Sequence, residues 1–185
     1  LLQKLGPGKA FKPMNRRQAR ELVLHMIFQQ VFTGCSAEAM LESYVTPGNF
    51  ETLVEEYSLY ASMPAQNQES YVKEALPGAI ERQTELVRYI AKYAVGWNLA
   101  RISRVSKCIL RLAMLEIRYL GIPMKASVNE ALELAKQYDS EEAAQFVNGI
   151  LASFIADPDP DAMPEDSGAQ DTVPEETCGS TEDVQ

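Results

Sequence analysis

Residues able to carry chemistry are few in this chain, and most of them are arginines. His25 is the single histidine, and no Cys, Asp or second His stands beside it at ligand spacing, which argues against a metal site or a histidine-based triad. Cys35, Cys108 and Cys178 lie far apart with no CxxC pair, so neither a disulfide framework nor a zinc site is expected, and a reducing cytoplasm fits best. No G-x-G-x-x-G or G-x-x-x-x-G-K cradle awaits a nucleotide phosphate. Adjacent carboxylates such as Glu55-Glu56 and Glu141-Glu142 point to different sides of a helix and read as solvated surface. The expectation is therefore no catalytic residue, no metal and no cofactor, with His25 an ordinary helix residue.

The stretch Asn15-Arg16-Arg17-Gln18-Ala19-Arg20 is different. It puts cations into the first turn of a helix, where the dipole favours anions and local stability alone would not choose them. A phosphate changes the balance, because helix N-terminal amides and guanidinium groups can converge on one anion. Phe28 follows Arg17 by eleven residues, close to three turns, so the two project on nearly the same side. An aromatic beside arginines can stack a base. The residues alone leave a second arrangement open, with Phe28 in the core and the arginines paired to the acidic middle of the chain.

Charge is unevenly spread. The formal net charge of -9 looks hostile to a polyanion, yet residues 157–185 hold ten acids and no base, which leaves 17 basic and 16 acidic groups in the first 156. Lys4, Lys9, Lys12 and the three arginines precede Glu21; an acidic segment follows to Glu81, and a second basic one runs from Arg82 to Arg118.

These residues are to be positioned by helices. Asn15 and Gln18 resemble a capping box opening a helix that closes at Gly34. Ser36 opens a short helix to Val45; Thr46-Pro47-Gly48 closes it, and another runs from Asn49 to Tyr60. Between Gln66 and Tyr93 the pattern is broken at Pro77-Gly78, which predicts two helices or one bent one. Ser103 or Ser106 begins a core helix ending before Gly121 and Pro123, Ser127 with Glu130 forms a capping box for the next, and Ser140 opens the last. No period-two run occurs, so the class is all-α without a β-sheet. No apolar run nears the roughly 18 residues of a membrane span. Residues 1–14 read as a basic N-terminal extension, 15–156 as one helical domain, and 157–185, rich in Asp, Glu, Pro, Ser and Thr, as a disordered acidic tail.

Five strings in register then carry a resemblance: Trp97-Asn98-Leu99-Ala100-Arg101-Ile102; Ile109-Leu110-Arg111-Leu112-Ala113 with Glu116; Ile122-Pro123; Val128-Asn129-Glu130-Ala131-Leu132-Glu133-Leu134-Ala135-Lys136; and Phe146-Val147-Asn148-Gly149-Ile150-Leu151. With the Arg-Arg-x-Ala-Arg-Glu head, residues 15 to 155 resemble the NusB family of bacterial transcription antitermination factors. The resemblance implies an all-helical fold of two small bundles. It also implies binding to boxA RNA of nascent ribosomal RNA leaders with the ribosomal protein NusE, within an RNA polymerase elongation complex.

Carried over by residue, the RNA surface comprises Arg16, Arg17, Arg20, Phe28, Glu142, Gln145, Phe146 and Asn148, and the partner surface Phe28, Phe32 and Ser106. Gln18, Phe28 and Ser106 depart from the family's usual arginine, tyrosine and acid. Glycine at position 149 inside a helix asks for a close contact, to a ligand or to another helix. Two rivals remain: an RNA-substrate module of the kind fused to ribosomal RNA methyltransferases, which the acidic tail in place of a cofactor domain disfavours, and a protein-interaction scaffold or homodimer without RNA.

Overall fold

The computed structural model describes residues 11–65, 67–96, 102–159 and 161. Most of the basic extension, the Trp97 to Arg101 string and most of the acidic tail therefore lie outside the described residues. Eight α-helices are described: α1 (Arg16–Thr33), α2 (Ala37–Tyr44), α3 (Pro47–Leu53), α4 (Asn67–Glu81), α5 (Gln83–Tyr93), α6 (Arg104–Arg118), α7 (Met124–Tyr138) and α8 (Glu141–Ala156). A 3₁₀ turn spans Ser58–Ala61. The strands β1 (Lys12–Pro13) and β2 (Ser62–Met63) pair in parallel for two residues each, a small exception to the expected absence of a sheet.

Several helix starts follow from local chemistry. The Asn15 side chain accepts from the Gln18 amide at 2.9 Å while Gln18 Oε1 accepts from the Asn15 amide at 3.0 Å, and Gly34 ends α1 in the left-handed conformation at φ 64°. Ser36, Ser103 and Ser140 cap α2, α6 and α8. Elsewhere packing overrides the local pattern. Thr46 caps α3 and Pro47 occupies its first turn, so the proline opens a helix where the sequence reading has it closing one, and that helix stops at Leu53 rather than Tyr60. Ser127 is not a cap: α7 begins three residues earlier behind Pro123, and Ser127 is fully buried inside it.

The Pro77-Gly78 pair sits within α4, and the break falls later, at Arg82. A Cβ on Gly78 would lie 3.2 Å from Leu115 Cδ1, so this glycine lets α4 approach α6 closely. Buried Arg111 on α6 seals the break by donating to the Ala79 carbonyl at 2.8 Å and to Gln83 Oε1 at 3.0 Å. In an unbroken helix that carbonyl would receive the Gln83 amide.

α6 is the shared core helix, packed against α1, α4, α5, α7 and α8. Among the described residues no helix is long and apolar enough to cross a membrane. The last turn of α6 holds a buried charge. Glu116, fully buried, accepts from Arg20 Nε at 2.8 Å and from the Tyr71 hydroxyl at 2.5 Å, joining α1, α4 and α6. Burial works to lower the Arg20 pKa, but the Glu116 carboxylate outweighs it and the guanidinium is held above its usual range. Glu116→Ala strands a buried cation and is expected to cost about 3–5 kcal/mol in denaturant unfolding. The combined Arg20→Met, Tyr71→Phe and Glu116→Leu replacement should recover most of that loss.

Candidate nucleic-acid interface

The head of α1 divides its arginines by exposure. Arg16 and Arg17 are exposed, whereas Arg20 is 4% exposed and committed to Glu116, with Glu130 at 3.5 Å from its Nη1. Arg20 is therefore part of the interior, not of the open surface to which the sequence reading assigns it. Arg16 lies over the Tyr71 ring at 4.4 Å. Arg17 reaches across to α7, 3.5 Å from Glu133 and 4.0 Å from Glu130, rather than to the acidic middle of the chain. Exposed pairs at such distances are worth at most about 1 kcal/mol and yield to a competing phosphate. No acid lies in the first turn of α1, so its free amides stand beside two guanidinium groups. Gln18 supplies the capping box instead of a further cation.

α8 contributes a polar edge. Glu142, Gln145 and Asn148 are exposed at three-residue intervals along it. Phe146 is 8% exposed and belongs mainly to the core, but its open edge lines a groove of about 550 Å³ with Lys92, Tyr93, Gly149 and Ser153. A Cβ on Gly149 would meet nothing within 4 Å, so no helix among the described residues explains that glycine.

The two edges are joined through α7, which Arg17 touches on one side and against which α8 packs on the other. Lys92 and Tyr93 escape the sequence reading because a single Lys-Tyr pair in a helix carries no local signal; only the fold sets them beside α8.

Farther along α1, Phe28 is half-buried and meets Phe32 edge to face at 5.2 Å between ring centres. Phe32 is 58% exposed, with the Arg104 guanidinium 5.0 Å from its ring centre. Ser106 is 2% exposed and donates to Asp139 at 2.8 Å, a carboxylate it shares with Ser103. It ties the start of α6 to the end of α7 and offers no free surface of its own.

Phe28 also lines a cleft of about 640 Å³ with His25, Tyr57, Tyr60 and Tyr138. His25 Nε2 is 2.8 Å from the Tyr138 hydroxyl and Nδ1 is 2.9 Å from that of Tyr60, which lies 2.6 Å from the Tyr44 hydroxyl. Tyr138 donates to the Glu21 carboxylate. With that proton spent, Tyr138 must accept from His25, so the neutral ring carries its hydrogen on Nε2 and accepts from Tyr60 at Nδ1. His25 is thus the hinge of a polar chain rather than an ordinary helix residue.

At the junction of α8 and the tail, residues expected to be disordered are bound. Asp157 accepts from Lys92 Nζ at 2.8 Å and from the Tyr93 hydroxyl at 2.9 Å, and Asp161 pairs with Arg118 and the Tyr89 hydroxyl. Lys92, more than any other neighbour, holds the Asp157 carboxyl low, at about 2.

Comparisons with known proteins bear on this geometry. A family model described as the NusB family matches residues 17–156. A transcription antitermination protein NusB of Thermoanaerobacter sp. (strain X514) is 32% identical over 144 residues, covering 78% of this chain and 92% of that protein. T. maritima NusB shares the fold with a TM-score of 0.62 at 29% identity, over 76% of this chain and 90% of its own. A chain in the crystal structure of antitermination factors NusB and NusE in complex with dsRNA shares it with a TM-score of 0.56 at 24% identity, over 75% and 93%.

The His25 chain has a pH signature. Burial lowers the His25 pKa from its usual 6.5, with Glu21 opposing more weakly. The folded state thus prefers the neutral ring: the stabilisation is complete above the unfolded value and declines as pH falls through it. Thermal melts should show the parent losing stability relative to His25→Gln below about pH 6.5 and no such divergence above it; parallel curves would count against the buried neutral ring.

Proposed function

The chain belongs to the NusB family, and on that premise we propose that it is a transcription antitermination factor that binds boxA-type single-stranded RNA of ribosomal RNA leaders. In this reading it acts with the ribosomal protein NusE inside an RNA polymerase elongation complex. The observation that carries the RNA assignment is the exposed Arg16 and Arg17 pair in a first turn free of acids, beside an arginine that is already spent in the core.

In this mechanism Arg16 and Arg17 hold phosphates. Gln145 and Asn148 read base edges, Glu142 accepts from exocyclic amino groups, and the open edge of Phe146 meets the face of a base. Arg20 holds α1 in register rather than touching RNA. Phe28 and Phe32 form the apolar patch that a protein partner covers, and Ser106 serves that surface indirectly, through the Asp139 it fixes. A body with one surplus positive charge attracts RNA weakly at long range. NusE contacts to the same RNA would raise affinity by linkage.

Gel-shift titration of a boxA-containing RNA, with and without NusE, tests this directly: binding tighter than to a scrambled RNA, and tighter still with NusE, is expected. Equal binding of both RNAs in both mixtures defeats the reading. Replacing Arg16 and Arg17 by alanine should weaken binding and reduce the salt slope by about 0.7 for each phosphate no longer neutralised. Gly149→Ala should stabilise the fold by about 1 kcal/mol yet weaken RNA binding. A stabilised variant with parental affinity would remove α8 from the site.

A further inference from the structure

We infer that the groove between α5 and α8 is a phosphodiester-accepting extension of the RNA face, and that Asp157, at the root of the acidic tail, sits in its anion seat in competition with RNA. The inference rests on the RNA reading above and adds to it a site and a regulator.

Three observations converge. The groove is lined by Lys92 and Tyr93 together with Gln145, Phe146 and Gly149, so a cation and a phenol share one groove with residues proposed to meet bases. The seat already accepts an oxyanion: the Asp157 carboxylate receives Lys92 Nζ at 2.8 Å and the Tyr93 hydroxyl at 2.9 Å, and Lys92 also reaches the Asp159 carbonyl at 3.2 Å. A phosphodiester oxygen asks for the same donors. Glu142 also lines the groove and repels phosphate, which favours a strand with its backbone at Lys92 and its bases at Gln145 and Phe146.

The tail's hold is built to be reversible. Asp159 and Asp161 are exposed, and Asp161 pairs with Arg118 and with Tyr89, one turn before Tyr93 on α5. Surface pairs of this kind are weak singly, but a chain covalently joined to α8 acts at high effective concentration. The remaining acids of residues 162–185 add local negative charge that opposes an incoming RNA. RNA engaged at Arg16 and Arg17 gains the same chelate advantage and displaces the root.

The test uses the full chain labelled with ¹⁵N and titrated with a single-stranded boxA RNA. Amide signals of Asp157, Asp159 and Asp161 should move toward random-coil positions as those of Arg16 and Arg17 respond. Asp157→Asn with Asp161→Asn should bind RNA about threefold tighter, with a salt slope steeper by about 0.7. Lys92→Ala should bind more weakly and gain nothing from the two Asn replacements. If Arg16 and Arg17 respond while residues 157–161 stay put and the Asn variant keeps parental affinity, the competition is refuted and the RNA reading stands. If neither region responds, the RNA reading fails and this inference with it.

Discussion

A buried carboxylate organises this molecule. Glu116 sits without solvent exposure in the last turn of α6 and is neutralised by Arg20 from α1 and hydrogen-bonded by Tyr71 from α4. Desolvating such a pair costs several kcal/mol per ion, and the attraction offsets this only when the geometry is tight. The cluster therefore accepts few arrangements of the three helices. Apolar side chains of similar volume would hold the same helices together with less demand on register.

That register decides what the first turn of α1 presents. With Arg20 turned inward, Arg16 and Arg17 fall on the surface on either side of it, one over Tyr71 and one toward α7. The same turn begins a stripe of Arg17, Glu21, His25, Phe28 and Phe32 along α1, whose members in turn meet Glu133, Tyr138, Tyr60 and Arg104. The exposed Arg17, the tyrosine-histidine chain and the exposed aromatic patch are thus successive levels of one helix face. On the other side of α7, α8 offers its polar edge and shares a groove with α5, where the chain's own acidic tail begins.

What was legible in the sequence is what depends on near neighbours. The Asn15 to Gln18 box, the Gly34 stop and the Ser36, Ser103 and Ser140 caps are local hydrogen bonds, and they stand where the spacing puts them. Ser127 obeys the same spacing rule and is nevertheless interior, because Pro123 begins α7 a turn earlier and the core claims that face. Arg16, Arg17 and Arg20 are alike as residue types; what separates Arg20 is Glu116, 96 residues away. A hint existed, since Glu116 interrupts an otherwise apolar face of α6, and a charge in that position demands an opposite one. Lys92 and Tyr93 gave no hint at all, because their role depends on where α8 returns. Among the described residues, the first of the tail depart from the composition-based reading, where carboxylates meet Lys92 and Arg118.

The decisive question is whether this face works on RNA in transcription. It is answered by terminator readthrough with a purified bacterial RNA polymerase on templates that carry boxA intact or scrambled, with NusE present. Adding the chain is expected to raise readthrough only on the intact template, and the Arg16→Ala, Arg17→Ala variant is expected to lose the gain while its unfolding curve is unchanged. Equal readthrough on both templates, or full activity in the variant, would overturn the RNA reading.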